Sequence, residues 1–192
     1  NFQFGNYYIK HFPDAKIFDI CNFYNNSFEK FTKEEDLINL IQINYKAMLL
    51  SKANIAYATG LSFGNIIISY LEKVNSLPED IIFSIYEHYG WLLYATGKFE
   101  EGEKIYLKLI DQCKDLKDYS RLNNVRIGSL ASRARIFDSV NLGLEVLRKL
   151  GVIIPNSEEE RGAMFFSEFG KILNYLENHE VKDLLNLKPM VD

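Results

Sequence analysis

The stretch "YGWLLYATGKFEEGEKIYLKL", residues 89–109, decides the fold. Two apolar stripes at helical spacing meet in it at a Gly-x-Phe corner. The first stripe begins upstream and carries Ile82, Ile85, Tyr86, Tyr89, Leu92 and Leu93. The second carries Phe99, Gly102, Ile105, Tyr106, Leu109, Ile110 and Cys113, with Glu100, Glu101, Lys104, Lys108 and Asp111 on the opposite face. Glu100 stands four residues before Lys104, the helix-supporting order for such a pair. Two amphipathic helices joined by "TGK" bury their stripes by packing antiparallel. Gly97 supplies the corner, and Gly102 allows close approach at a cost of roughly 1 kcal/mol in helix propensity relative to alanine.

Outward from this hairpin the pattern repeats. "YATG" at 57–60 and "FDSV" at 137–140 each set an aromatic residue three before a small or β-branched one, as Phe99 precedes Gly102. Tyr57 to Phe99 is 42 residues and Phe99 to Phe137 is 38, within the range of helix-pair repeats. Keeping this register requires a turn near Asn54, with Gly60 inside the following helix. Thr32 with Glu35, and Ser157 with Glu160, have capping-box spacing. Pro78 before Glu79 and Asp80 marks another start, and Gly151 after Leu150 marks a stop. Only four prolines interrupt the periodicity, and no long alternating segment competes.

The expected fold is all-α: a short right-handed α-solenoid of tetratricopeptide-like helix pairs. One module over 1–192 is expected, with N-terminal helices in 1–32, about three helix pairs in 33–155 and capping helices in 156–192. The opening at Asn1 and the ending "NLKPMVD" read as a piece of a longer protein.

The chain has 192 residues, 47% of them hydrophobic and 25% charged, which is ordinary for a folded protein able to bury a core. A net charge of −4 gives no global case for nucleic acid or an anionic membrane. No apolar run reaches the roughly 18 residues of a membrane helix, and the N-terminus lacks the basic start and apolar centre of a signal peptide. Cys21 and Cys113 form no CxxC and suit a reducing compartment and packing roles, with one pairing left open.

Over most of its length the sequence resembles the helical, tetratricopeptide-like region of multidomain STAND/AAA-type signalling ATPases, a family that includes multisensor histidine kinases and serine/threonine kinases. "KIFDI" at 16–20 is similar to the family's Leu-Phe-Asp-Ile opening, and "KANIAY" at 52–57 to its Lys-Ala-x-x-x-Ala-Tyr segment. "TGKFEEGEKIY" at 96–106 corresponds to its Gly-x-Phe-x-x-Ala corner, with Gly102 where alanine is usual. "LEVLRKLGVIIP" at 144–155 resembles its Leu-x-x-Leu-Gly-x-x-x-Pro signature, and "LKPMVD" at 187–192 its Leu-Pro-x-Met-x-Asp ending, with Pro189 displaced by one. The resemblance implies a cytoplasmic scaffold between an ATPase and an output domain, with neighbouring domains of the parent chain among its partners. It implies neither a nucleotide site nor a phosphoacceptor in this segment.

The strongest polar anomaly is "SRLNNVRIGSLASRAR", residues 120–135. Arg121, Arg126, Arg133 and Arg135 are four of the six arginines, and no acid falls between Asp118 and Asp138. Forked guanidiniums in such a run suit a protein or peptide partner that is acidic or phosphorylated, with Asn124 beside Asn123 adding backbone recognition. The competing reading has these arginines solvating a helix or pairing with acids elsewhere in the chain. The acidic starts "EKFTKEED" and "NSEEERG" are explained by helix capping. His88, near Trp91, belongs to no HExxH and no triad, and "GLSFGN" lacks the Gly-Lys-Ser/Thr of a phosphate loop. No catalytic, cofactor-binding or metal-ligating constellation emerges. Tyr7, Tyr8, Phe12, Phe23, Phe28 and Phe31, in an N-terminal stretch read as irregular, suit an exposed docking patch.

The functional expectation is a non-catalytic interaction and signal-relay scaffold. The rivals are the equivalent region of an ATPase-type transcriptional regulator or adenylate cyclase, and a small all-α enzyme with its site in a helical cleft.

Overall fold

A computed structural model of the chain describes Tyr7, His11, residues 17–27 and residues 33–187, the Leu184 side chain excepted. Among the described residues every regular element is helical. The α-helices are α1 (Ile17–Asn25), α2 (Glu34–Ala53), α3 (Tyr57–Leu71), α4 (Glu79–Ala95), α5 (Phe99–Asp111), α6 (Leu116–Ser132), α7 (Ile136–Lys149) and α8 (Glu158–Asn178). A 3-10 turn over Val181–Asn186 follows. The chain forms two compact units, Asn1–Gly143 and Leu144–Asp192, whose boundary falls inside α7.

In the first unit each helix from α1 to α5 packs on the next, and α4 also touches both α2 and α6. Two packed hairpins result, α2/α3 and α4/α5, and a third turn of the same kind joins α6 to α7. Their corners use one device. The middle residue of each three-residue turn is left-handed: Ile55 (φ 62°), Gly97 (φ 83°) and Ala134 (φ 57°). The next N–H reaches back five residues, from Ala56 to the Ser51 carbonyl (2.9 Å), Lys98 to Leu93 (2.8 Å) and Arg135 to Leu130 (3.0 Å). These are Schellman closures, which satisfy the last carbonyls of one helix while redirecting the chain into its partner. The expected turn near Asn54 is therefore present, and Gly60 lies buried inside α3. The Thr32–Glu35 spacing falls partly outside the described residues; α2 begins at Glu34 with no side-chain cap on its first N–H groups.

Helix α4 faces two ways: Ile85, Leu92 and Leu93 join the core built with α1, α2 and α3, and Tyr94 packs with Tyr106 and Leu109 of α5 and Leu122 of α6. Glycine at 102 has a steric cause. A Cβ there would stand 2.9 Å from the Tyr94 ring and 3.2 Å from the Gly90 carbonyl oxygen. Tyr94 in turn stacks on Tyr106, with ring centroids 5.2 Å apart. Beside the apolar contact of Ile20, Cys21 and Tyr24 with α2 lies an amide pair, half-buried Asn25 with buried Asn44: Asn25 Nδ2 donates to Asn44 Oδ1 (3.0 Å) and Asn44 Nδ2 to Asn25 Oδ1 (2.9 Å). Phe23 is half-buried within α1, so this part of the aromatic N-terminal stretch is helical, not irregular. Tyr7 is exposed; Tyr8, Phe12, Phe28 and Phe31 lie outside the described residues.

Both cysteines are free thiols, so no Cys21–Cys113 disulfide forms. Burial pushes the Cys21 thiol up to about 12 and also raises Cys113, which suits packing and not nucleophilic chemistry.

In the second unit Gly151 (φ 82°) closes α7 in the same way, with Val152 N–H donating to the Leu147 carbonyl at 2.9 Å. Ser157 caps α8: its Oγ accepts the Glu160 N–H at 3.2 Å and donates to the Glu160 carboxylate at 2.8 Å. No residue of this 21-residue helix is buried.

Candidate recognition surface

The four arginines of residues 120–135 lie on α6 and its corner, and the fold spends them internally. Arg121 bonds to Glu87 of α4 and, at 2.7 Å, to Asp118. Arg126 is mostly buried; its Nε donates to Glu103 of α5 at 3.0 Å, and another of its nitrogens to Asn123 Oδ1 at 2.7 Å. Arg133 lies 4.5 Å above the Phe99 ring, a cation–π contact with the start of α5, and its Nε donates to the Ser129 carbonyl at 3.1 Å. Arg135 pairs with Asp138 at 2.6 Å. Asn124 is exposed on α6 and takes no part in these bonds. Three of the four guanidiniums thus face carboxylates and the fourth an aromatic ring. Arg121, Arg126 and Arg133 tie α6 and its corner to α4 and α5, and Arg135 pairs locally with the start of α7.

Glu103 is the hub of this junction. Burial opposes its ionisation, but the hydrogen bonds from Arg126 and from Tyr94 Oη (2.5 Å) outweigh burial and hold the carboxyl below its ordinary range. Burial first, then the Glu103 bond, pushes the Tyr94 phenol well above its ordinary value. Tyr94 therefore stays a neutral donor, and the α4–α5–α6 junction is a closed polar network.

A different row of side chains is open. It crosses α2 and α4 and ends on α6. Tyr45 and Lys52 lie two helical turns apart on α2; Ser84, Glu87, His88 and Trp91 recur at three- and four-residue intervals along one face of α4. Tyr45 Oη and Ser84 Oγ share a hydrogen bond of 2.7 Å. Lys52 Nζ stands 3.2 Å from His88 Nδ1 and 4.2 Å from the centroid of the Trp91 ring. Tyr57, the first residue of α3, meets Trp91 edge to face at 5.1 Å. The ammonium can only donate, so His88 Nδ1 accepts and the imidazole proton sits on Nε2. Burial, then the positive charge of Lys52, pushes His88 below its ordinary value, so the ring is neutral at pH 7.

Lys52 is the unusual member. It is half-buried, and burial lowers its pKa, partly offset by the more distant Glu87. The Glu87 carboxylate is taken by Arg121. Among the described residues no carboxylate lies within ion-pair distance of Lys52 Nζ; its neighbours are a neutral imidazole and an indole. The sequence reading passed over this lysine because a single Lys in "LLSKAN" carries no signal. The trace that existed was His88 three residues before Trp91, and it meant nothing until the hairpin corners set α2 beside α4.

Among the described residues no group of histidine, cysteine and carboxylate side chains is placed to hold a metal ion, and no helix is long and apolar enough to cross a membrane. No family model, curated protein or solved structure matches the chain.

Proposed function

We propose that the chain is a non-catalytic scaffold, a right-handed stack of tetratricopeptide-like helix pairs, that holds an acidic protein or peptide segment on the face formed by α2, α4 and α6. Support for the repeat comes from the three equivalent Schellman corners and from α4 touching both α2 and α6. One observation carries the recognition reading: a half-buried ammonium lodged against neutral partners and aromatic rings, with no carboxylate of its own. A bound Asp, Glu or chain-terminal carboxylate would supply the missing anion, while Tyr45, Tyr57 and Trp91 offer apolar surface to its neighbours. In the parent protein such an occupant would relay signals from a neighbouring ATPase to an output domain in the cytoplasm, as the sequence resemblance implies. It would do so only by binding one state of that protein better than the other.

Trp91 is the chain's single tryptophan, so its emission reports on occupancy. Acidic peptides should perturb that emission saturably, lysine-rich peptides of equal length should not, and Lys52→Met should abolish the response. Methionine keeps the apolar stem over Trp91 and removes the charge, so thermal stability should be retained or slightly raised. A Lys52→Met protein that still responds to the acidic peptides would overturn the reading.

A further inference from the structure

Helix α8 presents an amphipathic stripe that its own unit leaves uncovered. Phe165, Phe166, Phe169, Ile172, Leu173 and Leu176 recur at three- and four-residue spacing, and none is less than 38% exposed; Phe166 reaches 72%. Phe165 stacks on Phe169 with ring centroids 5.8 Å apart. At about 150–250 Å² per large side chain, the stripe leaves on the order of 600 Å² of apolar surface in water, the upper end of what a monomer exposes in one patch. Along its C-terminal half it deepens into a groove of about 400 Å³ between α8 and the 3-10 turn, lined by Ile172, Tyr175, Leu176 and Val181, with Glu168 and Lys171 at the edge.

Charge decides between occupants. Along α8 there are five glutamates (Glu158, Glu159, Glu160, Glu168, Glu177) against Arg161 and Lys171, and Lys171 is paired with Glu168 at 2.6 Å. Two copies of α8 meeting on this stripe in parallel would bring their glutamate-rich first turns together. Antiparallel, they would set Glu159 beside Glu177 of the other copy. Either arrangement sets like charges at the edge of a desolvating surface.

We propose that α8 and the 3-10 turn form a docking face for a basic amphipathic helix, whose apolar side covers the phenylalanine stripe, whose largest anchor enters the groove by Tyr175, and whose lysines or arginines meet the glutamate rim. The mode is helix in groove, with anchors spaced by three and four residues. This partner is distinct from the acidic segment assigned to the first unit, and each reading stands without the other.

The test uses the 192-residue chain and two fluorescent eighteen-residue probes of identical apolar pattern, one built from leucine and lysine, the other from leucine and glutamate. The lysine helix should bind saturably at one per chain and the glutamate helix should not. The double variant Phe166→Ser, Ile172→Ser should weaken the lysine helix at least tenfold; both residues are mostly exposed, and circular dichroism checks that helix content is kept. Reversing the rim with Glu159→Lys, Glu168→Lys and Glu177→Lys should exchange the preference between probes. Equal binding of the lysine helix to the double variant would reduce the effect to general acidity and overturn the proposal. So would absence of binding, or sedimentation showing a dimer of the chain that the double variant dissociates.

Discussion

Replacing Arg126 by methionine separates a binding arginine from a structural one. The wild-type guanidinium is only 14% exposed and its partner Glu103 33%. Methionine keeps most of the volume but leaves Glu103 half-buried, with Tyr94 as its remaining partner. Each hydrogen bond to a charged group is worth about 1.5–3 kcal/mol. Breaking a fully buried pair costs about 3–5 kcal/mol. Partial exposure of Glu103 places this case lower, at roughly 2–3 kcal/mol, which at about 2–4 °C per kcal/mol lowers the melting temperature by roughly 5–10 °C. Arg135→Met is the control: that pair is about half-exposed on both sides, and such pairs contribute below about 0.5 kcal/mol. Unfolding followed by Trp91 emission reads the first unit directly. The pH dependence adds a second test. In the wild type the Glu103 carboxyl is held below its ordinary value, so its contribution is present above the ordinary carboxylate range and lost as pH falls through the lowered folded pKa. Without Arg126, burial governs and raises the folded pKa, so the variant's deficit should shrink as the medium is acidified towards pH 4. Equal losses in the two arginine variants, or a deficit constant with pH, would refute the assignment of Arg126 to the junction.

The three corners supply an internal comparison. Gly97→Ala should cost about 1 kcal/mol and Ala134→Gly should gain a similar or smaller amount, since left-handed backbone disfavours a Cβ by roughly 1–2 kcal/mol; thermal melts moving in the same direction would contradict the shared turn. Gly102→Ala should destabilise by about 1 kcal/mol despite its better helix propensity, because the new methyl meets Tyr94 and the Gly90 carbonyl; in a Tyr94→Leu background, which removes only the ring contact, the cost should shrink in chemical denaturation. His88 is depressed below its ordinary 6.5, so its contribution is present above that value and lost as pH falls through the lowered folded pKa. Melts between pH 7.5 and 5 should therefore be less pH-dependent for His88→Gln than for the wild type, and parallel profiles would contradict the buried neutral imidazole.

The hairpins were legible because local rules converge on them. Gly97 announces its corner, and the aromatic residues at 57, 99 and 137 mark the helix that follows each turn, within one residue of the observed starts at Tyr57, Phe99 and Ile136. Ile55 and Ala134 give no such notice. They adopt the left-handed conformation against their own preference because the flanking helices are held by tertiary packing, which local composition does not record. Tyr94 was missed for a related reason: the apolar stripe picked out on α4 includes Ile85, Leu92 and Leu93, which face the α2/α3 core, while Tyr94 lies on a second face towards α5, where Gly102 is small enough to admit its ring.

The arginine run reads differently once folded because proximity in sequence is not proximity in charge. Asp118 and Asp138 seemed only to bound an acid-free segment, yet each sits three residues from an arginine and, on a helix, that is contact distance. Glu87 and Glu103 add carboxylates for Arg121 and Arg126 from 34 and 23 residues away, and Arg133 is left to the Phe99 ring. Lys52 is the converse case. Nothing in its local sequence is unusual, and its character follows from being set beside His88, 36 residues on, with the nearest carboxylate already committed to Arg121. A charge is available for recognition when the fold leaves it without an opposite. By that criterion Lys52 on the α2–α4 face is the cation on which the proposed recognition rests, and within the arginine run Arg133, set on the Phe99 ring, also lacks a carboxylate.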